Sequence, residues 1–328
     1  GLPFMAIMIN LMLVTISVCL VFAPGSHPAL AQDATPSMAA FGFGEAKMVG
    51  RIESDGLVEC SGLEPSMLDG DLLWAVNDSG HGPFLYAMGL DGRDRGRVRV
   101  AGAKNQDWEG LDTFVWQGRP MILIADVGDN HQRHERHTLY VVEEPGPGQD
   151  RLRRSGTVEV AWRIDFSYPD GNLDAEGVAV DTAAGEVLIL TKRAEPPLLF
   201  VVPLAATVAG SCVTARRLGN VERIPPPSIQ DRQHIFGAFY SQPTALDLSP
   251  DGHKMVVLTY QHAYLFSRTP GDSWASAVRE RPALIRLPPP HEGRLLRQRE
   301  AICFSPDGMS LLVTSEGDHA GIFALRAR

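Results

Sequence analysis

One motif recurs five times along this chain, and it limits the fold more than any other feature. Its five openings are Glu59-Cys-Ser-Gly-Leu63, Asp107-Trp-Glu-Gly-Leu111, Asp174-Ala-Glu-Gly-Val178, Thr244-Ala-Leu-Asp-Leu248 and Arg299-Glu-Ala-Ile-Cys303. Each is followed by a hydrophobic run that ends in polar residues: Leu72–Asp78, Ile122–Asp126, Val187–Lys192, Met255–Tyr260 and Leu311–Glu316. An aromatic-bearing strand comes next: Leu85–Met88, Leu139–Val142, Leu199–Val202, Ala263–Phe266 and Gly321–Leu325. Four units add an alternating strand: Arg97–Val100, Thr157–Val160, a weaker one near Val213 to Leu218, and Ala283–Leu287. The equivalent positions Ser61, Glu109, Glu176, Thr244 and Glu300 are 48, 67, 68 and 56 residues apart. Such a period suits a four-stranded unit with variable loops.

The fifth unit stops one strand short, while the segment Ala46–Ile52 precedes the first unit without a partner there. In a closed ring that segment completes the last unit, which removes the sheet edges that invite aggregation. The turns Ser249-Pro-Asp-Gly252 and Ser305-Pro-Asp-Gly308 each link a first to a second strand. Proline presets φ there and glycine accepts positive φ. Long amphipathic helical patterns are absent. The chain is therefore read as all-β, a single β-propeller over residues 45–328 with five legible blades. A sixth fits only if the stretch from Cys212 to Tyr240 hides a degenerate one. The bland alternative is a β-sandwich of similar hairpins.

The N-terminal part reads as a targeting segment. Phe4 to Ala23 is almost uninterruptedly apolar, and Ala29-Leu30-Ala31 is a small-x-small cleavage pattern. We expect a signal peptide over 1–31, a mature start at Gln32, a flexible Ala/Gly/Ser-rich lead-in over 32–44, and a periplasmic or secreted protein. An uncleaved anchor is the other reading of so long a run. No second apolar run of that length occurs, so no membrane span is expected in the mature chain, which is read as a monomer. Net charge is −9, which excludes a basic nucleic-acid surface. Beyond Cys19, only Cys60, Cys212 and Cys303 remain, an odd number with no zinc spacing, and they read as small buried hydrophobes.

In a four-stranded blade the start of the first strand and the end of the second lie on one face. That brings Glu59, Asp107, Glu109, Asp174, Glu176, Arg299 and Glu300 beside Asn77, Asp78, Lys192, Tyr260 and Glu316 at one mouth of the channel. Converging carboxylates repel unless something offsets them. A hard cation with oxygen ligands, Ca²⁺ above all, is one solution. Asp126-Val-Gly-Asp129-Asn130 is the candidate metal loop, with Gly128 allowing a tight turn. The alternative is internal pairing with Lys192, Arg133 and Arg299. Arg133, Arg136 and Lys192 could instead receive a phosphate or carboxylate. His131, His134 and His137 are spaced by three but sit between two strands, so an exposed polar loop is expected. Catalytic signatures are thin: there is no Gly-x-Ser-x-Gly, and Gly271-Asp-Ser273 lacks companion motifs.

Together with Trp74-Ala-Val-Asn-Asp-Ser-Gly80, Asp126-Val-Gly-Asp-Asn130 and Thr314-Ser-Glu-Gly317, the motifs resemble a group of bacterial secreted or lipid-anchored, WD40-like propeller proteins. The resemblance runs from Val49 to Leu325 and implies the fold but no activity. More distantly the chain looks like phytase-like and esterase-like propellers, which implies a Ca²⁺-assisted phosphoester or ester hydrolase. It departs from the pattern at Gln242-Pro-Thr244, where the acidic signature is missing. The leading expectation is a cell-envelope propeller that binds a small ligand, metal or envelope protein at its mouth. The rivals are the Ca²⁺-dependent hydrolase and an interaction scaffold using outer loops such as 219–242.

Overall fold

The computed structural model describes residues 42–146, 156–205, 208, 210–292 and 295–328. The expected signal peptide and most of the lead-in lie outside the described residues. The strand β1 (Lys47–Arg51) comes first. Blade 1 follows as β2 (Cys60–Pro65), β3 (Leu72–Asn77), β4 (Phe84–Gly89) and β5 (Asp94–Ala101). Blade 2 is β6 (Trp108–Trp116), β7 (Arg119–Asp126), β8 (His137–Glu143) and the long β9 (Gly156–Ser167). Blade 3 is β10 (Ala175–Asp181), β11 (Glu186–Thr191) and β12 (Leu198–Pro203), then the short β13 (Val213–Thr214) and β14 (Arg216–Asn220). Blade 4 is β15 (Pro243–Leu248), β16 (Lys254–Thr259), β17 (Ala263–Ser267) and β18 (Ala283–Ile285). After a small hairpin, β19 (His291–Glu292) and β20 (Leu295–Leu296), blade 5 closes the ring with β21 (Arg299–Phe304), β22 (Ser310–Ser315) and β23 (Gly321–Arg326).

The innermost strands β2, β6, β10, β15 and β21 neighbour one another in that order and return to β2. This is a five-bladed β-propeller. β1 pairs antiparallel with β23, so the N-terminal strand completes blade 5 as expected. Closure extends further back than the sequence suggested. Phe43 bridges Ala327, and Gly44 N–H donates to Arg326 O at 2.7 Å, so the end of the expected lead-in is already paired. The stretch from Cys212 to Tyr240 holds no sixth blade. It carries β13, β14 and two 3₁₀ turns, Asp231–Gln233 and Gly237–Phe239. The weak fourth strand of unit 3 is split in two: β14 pairs with β12, whereas β13 runs parallel to β9 of the neighbouring blade. β5 and β9 also pair in parallel, which fuses blades 1 and 2 into one sheet.

The core lies between blades rather than within one. Each sheet buries both faces, so strands such as β3, β7 and β11 read as continuous apolar runs instead of alternating ones. Trp74, Trp108, Phe166, Phe200 and Phe266 are fully buried among these layers. The only α-helical turn among the described residues, α1 (Trp274–Ala277), explains Gly271-Asp-Ser273. Ser273 is its N-cap and accepts from Ser276 N–H at 3.1 Å, while Trp274 Nε1 donates to Asp181 at 3.0 Å. Among the described residues no helix is long and apolar enough to cross a membrane.

Candidate functional site

Each of the five innermost strands carries a β-bulge at the same place. Register slips between Cys60 and Gly62, Trp108 and Gly110, Ala175 and Gly177, Pro243 and Ala245, and Arg299 and Ala301. The residues left out of register are Ser61, Glu109, Glu176, Thr244 and Glu300. A bulge re-aims the side chain of its extra residue, so the repeat builds a ring of five polar side chains at one end of the channel. Small residues must follow, because the strands crowd together below this ring. A Cβ on Gly62 would lie 2.6 Å from Leu111, and one on Gly177 would lie 2.9 Å from Leu246. Blades 4 and 5 accept alanine, at Ala245 and Ala301. Beneath, Leu63, Leu111, Val178, Leu246 and Ile302 close the channel, leaving a void of about 10 Å³.

Two ring members bond the next blade. Ser61 Oγ donates to Trp108 O at 2.7 Å, and Thr244 Oγ1 donates to Arg299 O at 2.6 Å. These hydroxyls stitch blade 1 to blade 2 and blade 4 to blade 5, which accounts for the missing acid in unit 4. The other three, Glu109, Glu176 and Glu300, are each at most 4% exposed. One buried cation pairs with two of them, Glu176 and Glu300. Lys192 Nζ hydrogen-bonds Glu176, lies 4.0 Å from Glu300 and sits 5.2 Å over the Tyr260 ring. Tyr260 OH donates to Glu300 at 3.1 Å, and Glu316 shares a hydrogen bond with Glu300. Burial alone would lower the Lys192 pKa, but Glu176, Tyr260 and Glu300 outweigh it and hold the ammonium charged.

The remaining carboxylates have no such partner. Asp78, Asp107 and Glu109 each offer an oxygen, all within 4.8 Å of one another. No salt bridge reaches any of the three among the described residues. Asp107 Oδ1 is buried without a hydrogen-bond partner, as is Glu176 Oε2. Burial, then the contact with Asp78, pushes the Asp107 carboxyl up to about 8. Burial, then Glu176, holds the Glu109 carboxyl far above the usual carboxylate range. Gly128 stands directly against this pair: a Cβ there would lie 2.4 Å from Glu109 Oε1 and 2.5 Å from Asp107 Oδ2. Its φ is not positive, so glycine is needed here for close approach, not for the tight turn expected of it.

Other residues singled out in the sequence act as clasps. Asp126 Oδ1 accepts from Asp107 N–H at 2.8 Å, and Asp126 Oδ2 accepts from Gln106 N–H at 3.3 Å. Asp129 accepts from Arg133 N–H at 2.9 Å and His134 N–H at 2.7 Å, and Asn130 accepts from Arg193. In the expected metal loop, Asp129 thus closes the loop on itself, Asp126 holds the start of β6 and Asn130 receives Arg193 of blade 3, and the three-carboxylate cluster forms beside it. Asn77 ties Val58 and Glu59 N–H to Gly56 O. Asp174 accepts from Asp129 N–H at 2.8 Å and Arg193 Nε at 2.7 Å. Arg299 is spent on backbone and donates to the carbonyls of Tyr260, Gln261, Pro288 and Pro289. Glu59 pairs with His81 at 2.7 Å, and Arg133 is exposed. His137 departs from the exposed loop expected of it. It is buried against Phe166 and Tyr168, and burial lowers its pKa to about 4.

A second acidic group escaped the sequence reading. Glu64, Asp112 and Asp247, each three residues beyond a ring position, converge at the opposite end of the channel within 4.8 Å of one another. Asp112 Oδ2 accepts from Val180 N–H at 2.5 Å and Asp247 Oδ2 from Phe304 N–H at 2.6 Å, each in the next blade. Glu64 shares a hydrogen bond with Asp247, whose carboxyl burial pushes up to about 7. The signal was legible as an acid at equal spacing in three of the five openings.

No family model matches the chain. No curated protein matches it either. Among solved structures it is similar to a chain of a nidogen/laminin complex, with 13% identity over 78% of this chain and 72% of that one and a TM-score of 0.42. It is also similar to a Bacteroides uniformis protein with a provisional 6-phosphogluconolactonase assignment, with 17% identity over 80% of this chain and 66% of that one and a TM-score of 0.36. At this overlap neither likeness bears on function, and the fold rests on the strand topology itself.

Proposed function

We propose that this chain is an exported cell-envelope binding propeller whose mouth holds a divalent cation, Ca²⁺, on Asp78, Asp107 and Glu109, and captures an oxygen-bearing ligand through that ion. The observation that carries the reading is a cluster of three carboxylate oxygens within 4.8 Å that no salt bridge reaches among the described residues. The buried, unpartnered Asp107 Oδ1 points the same way. An all-oxygen, all-anionic donor set suits a hard cation. Ca²⁺ takes about six to eight oxygens, so three carboxylates leave positions for water or ligand oxygens. Binding is favoured over hydrolysis because the two buried cations beside the ring are engaged. Lys192 holds Glu176, and Arg299 is committed to backbone carbonyls. Export rests on the apolar N-terminal run.

Metal analysis and thermal unfolding of the purified protein, with and without chelator, test this. A bound ion at about 100 times its Kd stabilises the native state by about 2.7 kcal/mol. Chelation is expected to lower Tm accordingly, and D107N and E109Q to abolish both metal content and the Tm difference. A metal-free protein whose Tm ignores Ca²⁺ would sink the reading.

A further inference from the structure

Between blades 3 and 4, on the same face as the mouth, lies a cleft of about 330 Å³. Its walls are Pro196 and Pro197, after β11, and Ile224, Pro226, Pro227 and Ala238, from the segment between β14 and β15. That segment is a fixed strap. Val221 N–H donates to Pro197 O at 2.8 Å, Ser241 Oγ to Pro225 O at 2.7 Å, and Gln261 Nε2 from blade 4 to Asp231 Oδ1 at 2.9 Å. The cleft is therefore preformed, and its volume is at the small end of the range for ligand pockets, roughly 300–1,000 Å³.

The chemistry of the walls narrows the occupant. Proline offers no N–H donor, so the rings present rigid apolar surface; Ser241 Oγ is already spent on Pro225 O, which leaves Gln242 as the neutral polar side chain of the lining. The inner end is Lys192, whose charge is already matched by Glu176. Glu195 and Glu222, also on the lining, are exposed; Asn220 Nδ2 donates to Glu222 Oε1 at 3.5 Å, and neither carboxylate has an ion pair among the described residues. An apolar enclosure with two uncompensated carboxylates at its outer edge and an acidic mouth beyond selects a positive charge on an apolar body. The net charge of −9 draws such a ligand in.

We propose that this cleft binds a small organic monocation, an aryl- or alkylammonium. Its apolar body lies against the prolines and its ammonium between Glu195 and Glu222. The proposal goes beyond the metal reading and does not need it.

Fluorescence titration with dansylcadaverine, an aromatic body bearing a primary ammonium, tests the inference. Dansylglycine, the same body bearing a carboxylate, is the control. Saturable binding with blue-shifted emission is expected for the amine, in Ca²⁺ and in chelator alike. The acid should bind at least about tenfold more weakly, since like charges set against each other are costly. Ala238 is exposed on the strap, so A238W should fold and fill the cleft, and the amine should no longer bind. The double variant E195K/E222K should reverse the preference between amine and acid. Melting curves of both variants establish that they fold. No saturable binding of the amine would overturn the proposal. So would unchanged binding in folded A238W, or an amine preference that survives the charge reversal. Binding that disappears with chelator would assign the probe to the metal and overturn it as well. A protein that takes up no Ca²⁺ when it is supplied, yet binds the amine, would refute only the mouth reading.

Discussion

Replacing Gly128 with alanine puts the geometry of the mouth to its most direct test. The new Cβ would stand 2.4 Å from Glu109 Oε1 and 2.5 Å from Asp107 Cγ and Oδ2. Ordinary contact begins near 3.4 Å, so each carboxyl must yield by about 1 Å or the loop must retreat. Retreat is resisted, because Gly128 N–H donates to Asp107 O at 3.2 Å and the Asp107 backbone is pinned by Asp126 at 2.8 Å. Overpacking of this kind costs about 1–3 kcal/mol. The reduced freedom of the unfolded chain returns about 0.4–1 kcal/mol, since φ is ordinary here. The middle of the two ranges leaves a net loss of about 1 kcal/mol, which in a large domain lowers Tm by roughly 2–4 °C. Two of the three proposed metal oxygens move, so Ca²⁺ affinity should fall by at least about tenfold, equivalent to ~1.4 kcal/mol. Gly70 is the control. A Cβ there meets nothing within 4 Å, and G70A should be neutral or slightly stabilising. Calorimetric unfolding and Ca²⁺ titration of the two variants read the difference. If G128A melts and binds as the parent does, glycine is not required for this close approach and the account of the site fails.

Two other perturbations have definite signs. K192M leaves Glu176, with Oε2 already unpartnered, as an uncompensated buried acid. We expect a loss of about 3–5 kcal/mol, with much of it recovered in K192M/E176Q; denaturant unfolding that shows the double variant no more stable than the single would contradict this. His137 titrates near 4 when folded, against an ordinary 6.5. The unfolded chain therefore binds more protons between those values. The His137 contribution to stability is constant above about pH 6.5, declines as pH falls through the window, and levels off below 4, a loss of about 3 kcal/mol. H137F should lack this decline, and unfolding curves of parent and variant that stay parallel from pH 7 to 4 would refute the assignment.

Blade count, strand order and closure by the N-terminal strand were legible because they depend on local signals. Apolar runs, Ser-Pro-Asp-Gly turns and the recurring first-strand motif all lie within one unit, and a ring repeats that unit. The meeting of Glu109, Glu176 and Glu300 was legible for the same reason, since equal places in a repeat become equal places around an axis. The bulge that aims them was not, because register belongs to a strand pair and not to a strand. Nor could the sequence divide the acids between tasks. Asp126 and Asp129 look like metal ligands in a short loop, yet the backbone N–H groups that claim their oxygens come from folding that loop onto Asp107 and His134. Arg299 looks like a pairing partner for the acids of the mouth until four carbonyls of the adjoining chain surround it. Residue identity and spacing thus determined the ring and the acidic character of its mouth. Which carboxylates are left without a partner depends on contacts between blades some 50–70 residues apart in the chain, and only the tertiary structure decided that.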